Sequence, residues 1–442
     1  MPRDDIKIDN FDKPVKRKRR NSESDKYYYE IIERSKYDEY FKHQDKKRQI
    51  DILTKENEIY TYFESDIPIR YKILYSSLPM ATKSLIIQKI DQFENMKPCD
   101  SEYIKLNKWF KGLTQIPFDN FVKMPVERMI DSDAKIQSFL FDSFNILKKT
   151  IYGQNEAKNK IMQILAQWIS NPNSLGQIIA LQGPPGVGKT SLVKNGVSKA
   201  LGRPFCFYAL GGATDVSNLE GHSYTYEGAV WGRLVEMLME SKVMNPVIFF
   251  DELDKISTTS KGNEISGMLT HITDMTQNNV YQDKYFSGVV LDLSKAIFFF
   301  SYNDIELINP ILKDRLTIVR FEGYNVDEKI KIVQDFIIPE LLKNIGFLPN
   351  DIFIDVDIIK YIINNYTNNE SGVRNIKRCI EDLFLKINLL RLMKNNSKDK
   401  IEIDYNIDNL QFPLSVSTAI VDDLLKLKNK KVENQSLKMM YM

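Results

Sequence analysis

Two short stretches carry residue types and spacing suited to phosphate chemistry. Gly183-Pro184-Pro185-Gly186-Val187-Gly188-Lys189-Thr190 has the form of a phosphate-binding loop. Its glycines let backbone N–H groups turn inward around phosphate oxygens, the Lys189 ammonium can reach the β- and γ-phosphates, and the Thr190 hydroxyl can ligate Mg²⁺. An apolar run at 177–182 precedes it and a helical pattern follows, so the helix N-terminus adds partial positive charge. Some sixty residues on, Val247-Ile248-Phe249-Phe250 runs into Asp251-Glu252. A buried strand ending in two carboxylates puts Asp251 at the metal's shell and Glu252 beside an attacking water, as its general base. The plainer reading, an acidic pair that ends a strand, leaves the spacing to the loop unexplained.

Two more positions have a chemical and a plain reading of similar weight. Phe299-Phe300-Ser301-Tyr302-Asn303 ends an apolar run in a polar residue. Ligand groups gather at the carboxyl ends of strands in open α/β sheets, so Asn303 either touches the γ-phosphate or attacking water, or forms a turn. Asp314-Arg315 precedes the run 316–321. Arg315 is either a surface cation or an arginine finger that completes a neighbouring subunit's site.

These residues need a frame. Continuous apolar runs at 177–182, 246–250, 296–301 and 316–321 are what a parallel sheet covered on both faces demands, with helices between them, which gives an α/β class. Upstream, residues 67–118 read as helical. Leu85, Ile86, Ile87, Ile90, Phe93 and Met96 recur at three- and four-residue steps, and Leu106, Trp109, Phe110 and Leu113 share a face. After Gly323 the pattern turns helical again, to about Leu425. Residues 1–50 are dominated by charge and bury too little apolar surface to offset their ordering entropy.

Composition narrows the classes further. The 442 residues hold 61 Lys and Arg against 59 Asp and Glu, a net charge of +2, so no global attraction to nucleic acid or membrane follows. The local exception is Lys16-Arg17-Lys18-Arg19-Arg20, either a nuclear-import or nucleic-acid contact or a solvated tail. Cys99, Cys206 and Cys379 lie far apart, and His43, His222 and His271 show no metal-ligand spacing, so neither a disulfide scaffold nor a zinc site is expected. That suits a reducing compartment: cytoplasmic placement, or nuclear if the basic run is an address. The charged start carries no secretory leader pattern, and apolar runs such as 296–300 fall far short of the ~20 residues of a spanning helix.

Taken in order, the motifs resemble an AAA+ module, and their wording resembles the Lon protease family. Ile151-Tyr152-Gly153-Gln154 with Ala157-Lys158 resembles Lon's entry into the module, Gln182 to Thr190 its phosphate loop, and Asp251-Glu252-Leu253-Asp254-Lys255 its second ATPase motif. Gln277-Asn278, Tyr285-Phe286 and Asp292-Leu293-Ser294 resemble the approach to its first sensor strand. Gly323-Tyr324 with Asp327-Glu328-Lys329 resembles the start of its lid, and Ser371-Gly372-Val373-Arg374 its second sensor. The likeness runs from Leu78 to Leu425.

The resemblance implies a P-loop AAA+ core with a parallel sheet, followed by a small helical lid and preceded by an all-α segment. It implies a charged, weakly structured region at 1–66, a helical pre-motor segment at 67–145, the core at 146–323, the lid at 324–425 and a polar tail at 426–442. Tyr152 and Gly153 would lie near adenine, Asn303 would be the first sensor and Arg374 the second, and Arg315 the finger of a homo-oligomeric ring, a hexamer. ATP and Mg²⁺ are the implied ligands. The segment Gly211-Gly212 through Gly228 resembles the one carrying Lon's pore loop, where an aromatic and an aliphatic residue grip a threaded polypeptide. Tyr226 fits the first position. Glu227 departs from the second, and Tyr224 and Trp231 are apolar candidates nearby. The alternative is that these aromatics pack the loop. No Ser–Lys peptidase segment follows the lid-like stretch, so no intrinsic proteolysis is expected, though a partner could supply it in trans. Three functions compete: protein remodelling, nucleic-acid handling through the basic run, and an ATP-switched assembly scaffold.

Overall fold

The computed structural model describes residues 38–63, 68–97, 100–172, 174–213, 215–393, 405, 407 and 410–425. The basic run at 16–20, Cys99 and the 426–442 tail lie outside them. The chain divides into two compact units, Met1–Lys72 and Ile73–Met442.

Of the region 1–66, expected to be weakly structured, the described residues 38–63 are largely helical. Helices span Glu39–Lys42 and Lys46–Phe63. Asp38 caps the first by accepting the Phe41 N–H. Phe41 and Leu53 are buried, with Ile50 and Ile52 packed against them, so a few apolar residues spaced among many charges are enough for a local cluster.

In the second unit, helices Met80–Glu94 and Ser101–Gln115 appear where the three-four periodicity places them. Trp109, Leu106 and Leu113 are buried on the inner face of the latter. Helices Asp133–Thr150 and Asn155–Ser170 lead into the sheet.

The sheet is five-stranded and wholly parallel, in the order β2-β3-β4-β1-β5. Its strands are β1 (Ile178–Gln182), β2 (Phe205–Ala209), β3 (Val247–Asp251), β4 (Ile297–Tyr302) and β5 (Thr317–Arg320). Phe249, Phe250, Phe298, Phe299 and Phe300 are almost wholly buried, and Phe250 stacks on Phe300 with centroids 5.2 Å apart. Burying one such ring is worth about 1.5–3 kcal/mol, which is why both faces of β3 and β4 are apolar. β2 was not expected from the sequence. It is an edge strand paired only with β3, and of its residues only Cys206 is fully buried, so its pattern is less continuous.

Beyond β5, Asn325 caps the helix Val326–Ile332 reciprocally with Glu328. Helices Ile338–Ile345, Val356–Tyr366, Arg374–Met393 and Thr418–Leu425 follow, with a small parallel pair, β6 (Ile352–Phe353) and β7 (Leu414–Ser415). Among the described residues no helix is long and apolar enough to cross a membrane.

Candidate functional site

β1, β3 and β4 end together, and the parallel register decides what meets there. Leu181 is level with Ser301, and Phe250 with Phe300. The loop after β1 therefore faces the carboxylates after β3 and the polar end of β4, across a cavity of about 430 Å³. That volume is within the ~300–1,000 Å³ of small-molecule sites.

Of the residues expected at a nucleotide, Tyr152, Pro185, Gly186, Val187, Gly188, Lys189 and Thr190 line this cavity, together with Asp251, Glu252, Asn303 and Arg374. Gly153, Gly183 and Pro184 are not in its wall. Gly183 contributes through its carbonyl, which accepts from the Lys189 ammonium. Gly188 has φ +95°, a left-handed conformation that a side chain resists, and it precedes the helical residues 189–201. Leu192–Val197 in that helix is π-helical, a geometry that recurs beside functional sites.

Lys189 Nζ also donates to Tyr302 O at 3.1 Å and to Asn303 Oδ1 at 2.8 Å. Burial pulls its pKa down from 10.5 to about 8, partly opposed by the charges of Asp251 and Asp254. Asp251 accepts from Ser301 Oγ and from its neighbour's N–H, Glu252 N, at 3.1 Å. Glu252 has φ +59° and lies against Gly211, where a Cβ would sit 2.1 Å from its Oε2. Asp254 is buried and its Oδ2 accepts the N–H groups of Asn303 and Asp304, both at 3.2 Å, which fixes the turn carrying Asn303.

The segment after β5 closes the opposite wall. Tyr324 Oη lies 3.0 Å from Val187 O and 3.2 Å from Tyr152 O. Val373 N donates to Gly186 O at 3.2 Å, which sets Arg374 over the loop. Glu370 Oε1 accepts the Asn375 and Ile376 N–H groups at 2.6 and 3.2 Å, and buried Lys329 donates to the Glu370 carbonyl. Phe336 and Ile337, from the π-helical turn Val333–Ile337, add an apolar wall.

The sequence did not single out Ser301, Asp254, Phe336 or Glu370 for a role. Ser301 and Asp254 gain meaning only from sheet register, and Phe336 and Glu370 from the fold-back of the helical region.

Besides Gly153, Gly183 and Pro184, three more expected residues lie outside this wall. Arg315 Nη1 pairs with Asp274 Oδ2 at 2.6 Å. Tyr226 and Glu227 are at the exposed tip of a loop, with Tyr226 71% exposed. Tyr224 and Trp231 instead pack beside Trp109, Tyr285 and Phe286, so for them the packing alternative holds.

The fold and the cleft are those of a P-loop ATPase. Residues 179–324 match the model of the ATPase family associated with various cellular activities (AAA). Residues 343–401 match the Lon protease AAA+ ATPase lid domain. The chain therefore carries a Lon-family AAA+ ATPase module, core and lid in succession. It is 39% identical over 330 residues to a Lon protease homolog of Acanthamoeba polyphaga mimivirus, covering 74% of this chain and 32% of the relative. Against the mitochondrial Lon protease homolog of Yarrowia lipolytica it is 33% identical, over 75% of this chain and 27% of the relative. Against the Lon protease of Campylobacter concisus the figures are 35%, 70% and 38%. The chain thus spans between 27% and 38% of the length of these curated relatives.

Proposed function

We infer that this chain hydrolyses ATP and spends the cycle on remodelling protein. One observation supports the reading above all: Lys189, Thr190, Asp251, Glu252, Asn303 and Arg374 share one cavity. On this reading residues 146–323 are the motor core and 324–425 the lid. Lys189 and the loop amides hold the β- and γ-phosphates, and Arg374 reaches them from the lid. Tyr152 and Gly153 stand at the base end. Thr190 and Asp251 would hold Mg²⁺, which when bound would neutralise charge developing on the phosphates. Their shared cavity and the Gly188 cradle suit that ion and a triphosphate. Glu252 takes the proton of the attacking water, and Asn303 orients that water or the γ-phosphate.

Arg315, turned to Asp274, acts on a neighbour's nucleotide in a homo-oligomeric ring, a hexamer. Tyr226 and Glu227 then face a polypeptide substrate, with a more polar grip than an aromatic-aliphatic pair. The family models matched are those of an ATPase and of a Lon lid, and the activity proposed for them is mechanical. A cytoplasmic site of action accords with the sparse cysteines.

The test is ATPase turnover of the purified chain with and without unfolded casein. Stimulation by casein that Tyr226→Ala abolishes is the expected outcome. Turnover indifferent to casein would overturn the remodelling role and leave an ATP-driven switch.

A further inference from the structure

The connector between helix Ser260–Ile272 and β4 holds two carboxylates that each tie down a different working part. Asp274 is at its start. Its Oδ1 accepts Thr276 N at 2.9 Å and Thr276 Oγ1 at 2.6 Å, and its Oδ2 holds Arg315 at 2.6 Å. Asp283 lies nine residues on and is wholly buried. Its Oδ2 accepts Gly232 N at 2.9 Å and its Oδ1 accepts Tyr285 N at 2.8 Å.

Gly232 is one side of the neck of the loop that displays Tyr226. The neck is closed by His222 N donating to Val230 O at 3.1 Å. The other side is held too. Lys284 N donates to Glu220 O at 2.8 Å, and Lys284 Nζ pairs with Glu220 at 2.8 Å. Between the two carboxylates the connector is stiff. Asn278 and Tyr281 are buried, Leu293 N donates to Asn278 O at 3.0 Å, and Leu291 N to Tyr281 O at 2.8 Å. Past it the chain enters β4, whose Ser301 donates to Asp251.

We propose that residues 274–286 act as a single strap between the displayed loop and Arg315, with Asp283 and Asp274 as its two positioning residues. The proposal rests on the ATPase reading above and adds the route by which loop position and nucleotide state are linked. A movement of the loop neck is carried by Asp283 into a buried, hydrogen-bonded connector that ends on Arg315. In a contiguous packed chain of this kind, mutation at one end is felt at the other.

Amide hydrogen exchange over residues 222–231 tests this, with and without a non-hydrolysable ATP analogue and Mg²⁺. In the wild-type chain the analogue changes exchange in the loop by about twofold or more. Asp283→Asn, which turns one acceptor into a donor facing a backbone N–H, removes that response while nucleotide affinity persists. Asp274→Asn, whose own partners are Thr276 and Arg315, also shifts loop exchange. It lowers kcat with KM for ATP unchanged, and Asp274→Glu restores part of it. A loop that responds in Asp283→Asn as in wild type overturns the proposal, as does loop exchange unmoved by Asp274→Asn. A wild-type loop that ignores the analogue while nucleotide binds overturns the strap but leaves the ATPase reading intact. A chain that binds no nucleotide overturns both. Should Asp283→Asn fail to fold, Asp274→Asn decides the matter alone.

Discussion

The nucleotide cleft and the Tyr226 loop are built on opposite plans. The cleft is lined largely by residues contiguous in sequence: six positions from Pro185 to Thr190 and two at Asp251 and Glu252. The loop is held by side chains that come from far along the chain. Lys105 donates to Thr225 O at 2.8 Å, Lys108 to Ala229 O at 2.7 Å, and Lys89 to Tyr224 Oη at 2.9 Å. Asp283 fastens its neck. A site made of backbone resists most side-chain changes except at its charged tips, whereas a displayed loop depends on remote clamps.

The largest expected effect comes from a charged tip of the cleft. Lys189→Ala removes the cation aimed at the phosphates and should lower kcat/KM for ATP by about a hundredfold or more. Steady-state kinetics beside a circular dichroism spectrum check it. A loss under about threefold would show that the backbone cradle alone suffices, which would sharpen the contrast in an unexpected direction.

A smaller effect follows from the lowered Lys189 pKa, about 8. A bound triphosphate favours the ammonium, so binding above pH 8 must supply a proton. Affinity for the Mg²⁺ complex of a non-hydrolysable ATP analogue should fall about fivefold from pH 8 to 9, with proton uptake visible in buffers of different ionisation enthalpy. Below pH 7 the profile should be flat, and Lys189→Arg should flatten it throughout. A profile flat from pH 7 to 9 in wild type would mean that Lys189 is an ordinary surface lysine.

The same contrast explains what the sequence could reveal. Motif chemistry was readable because Gly188, Lys189, Asp251 and Glu252 are local in sequence. Four strands were readable because β1, β3, β4 and β5 keep apolar runs in the sheet. β2 escaped because an edge strand buries one residue fully and leaves Phe207 44% exposed. Helices at 39–63 escaped because charge dominates their composition while Phe41 and Leu53 do the packing. Ser301, Asp274 and Asp283 carry no local signature, since each acts on a partner tens of residues away, and Asp254 was legible as part of a motif but not in its hold on the Asn303 turn. Glu227 was legible as a departure from an aromatic-aliphatic pair, and the structure adds that it is exposed at the loop tip.

The central claim is that the loop at 183–190 and the carboxylates at 251 and 252 serve a single triphosphate. Glu252→Gln keeps the shape of the side chain and removes its basicity. The account predicts that ATP turnover falls by about 10²–10⁴-fold while MgATP still binds with wild-type affinity. Turnover equal to wild type in Glu252→Gln would contradict it.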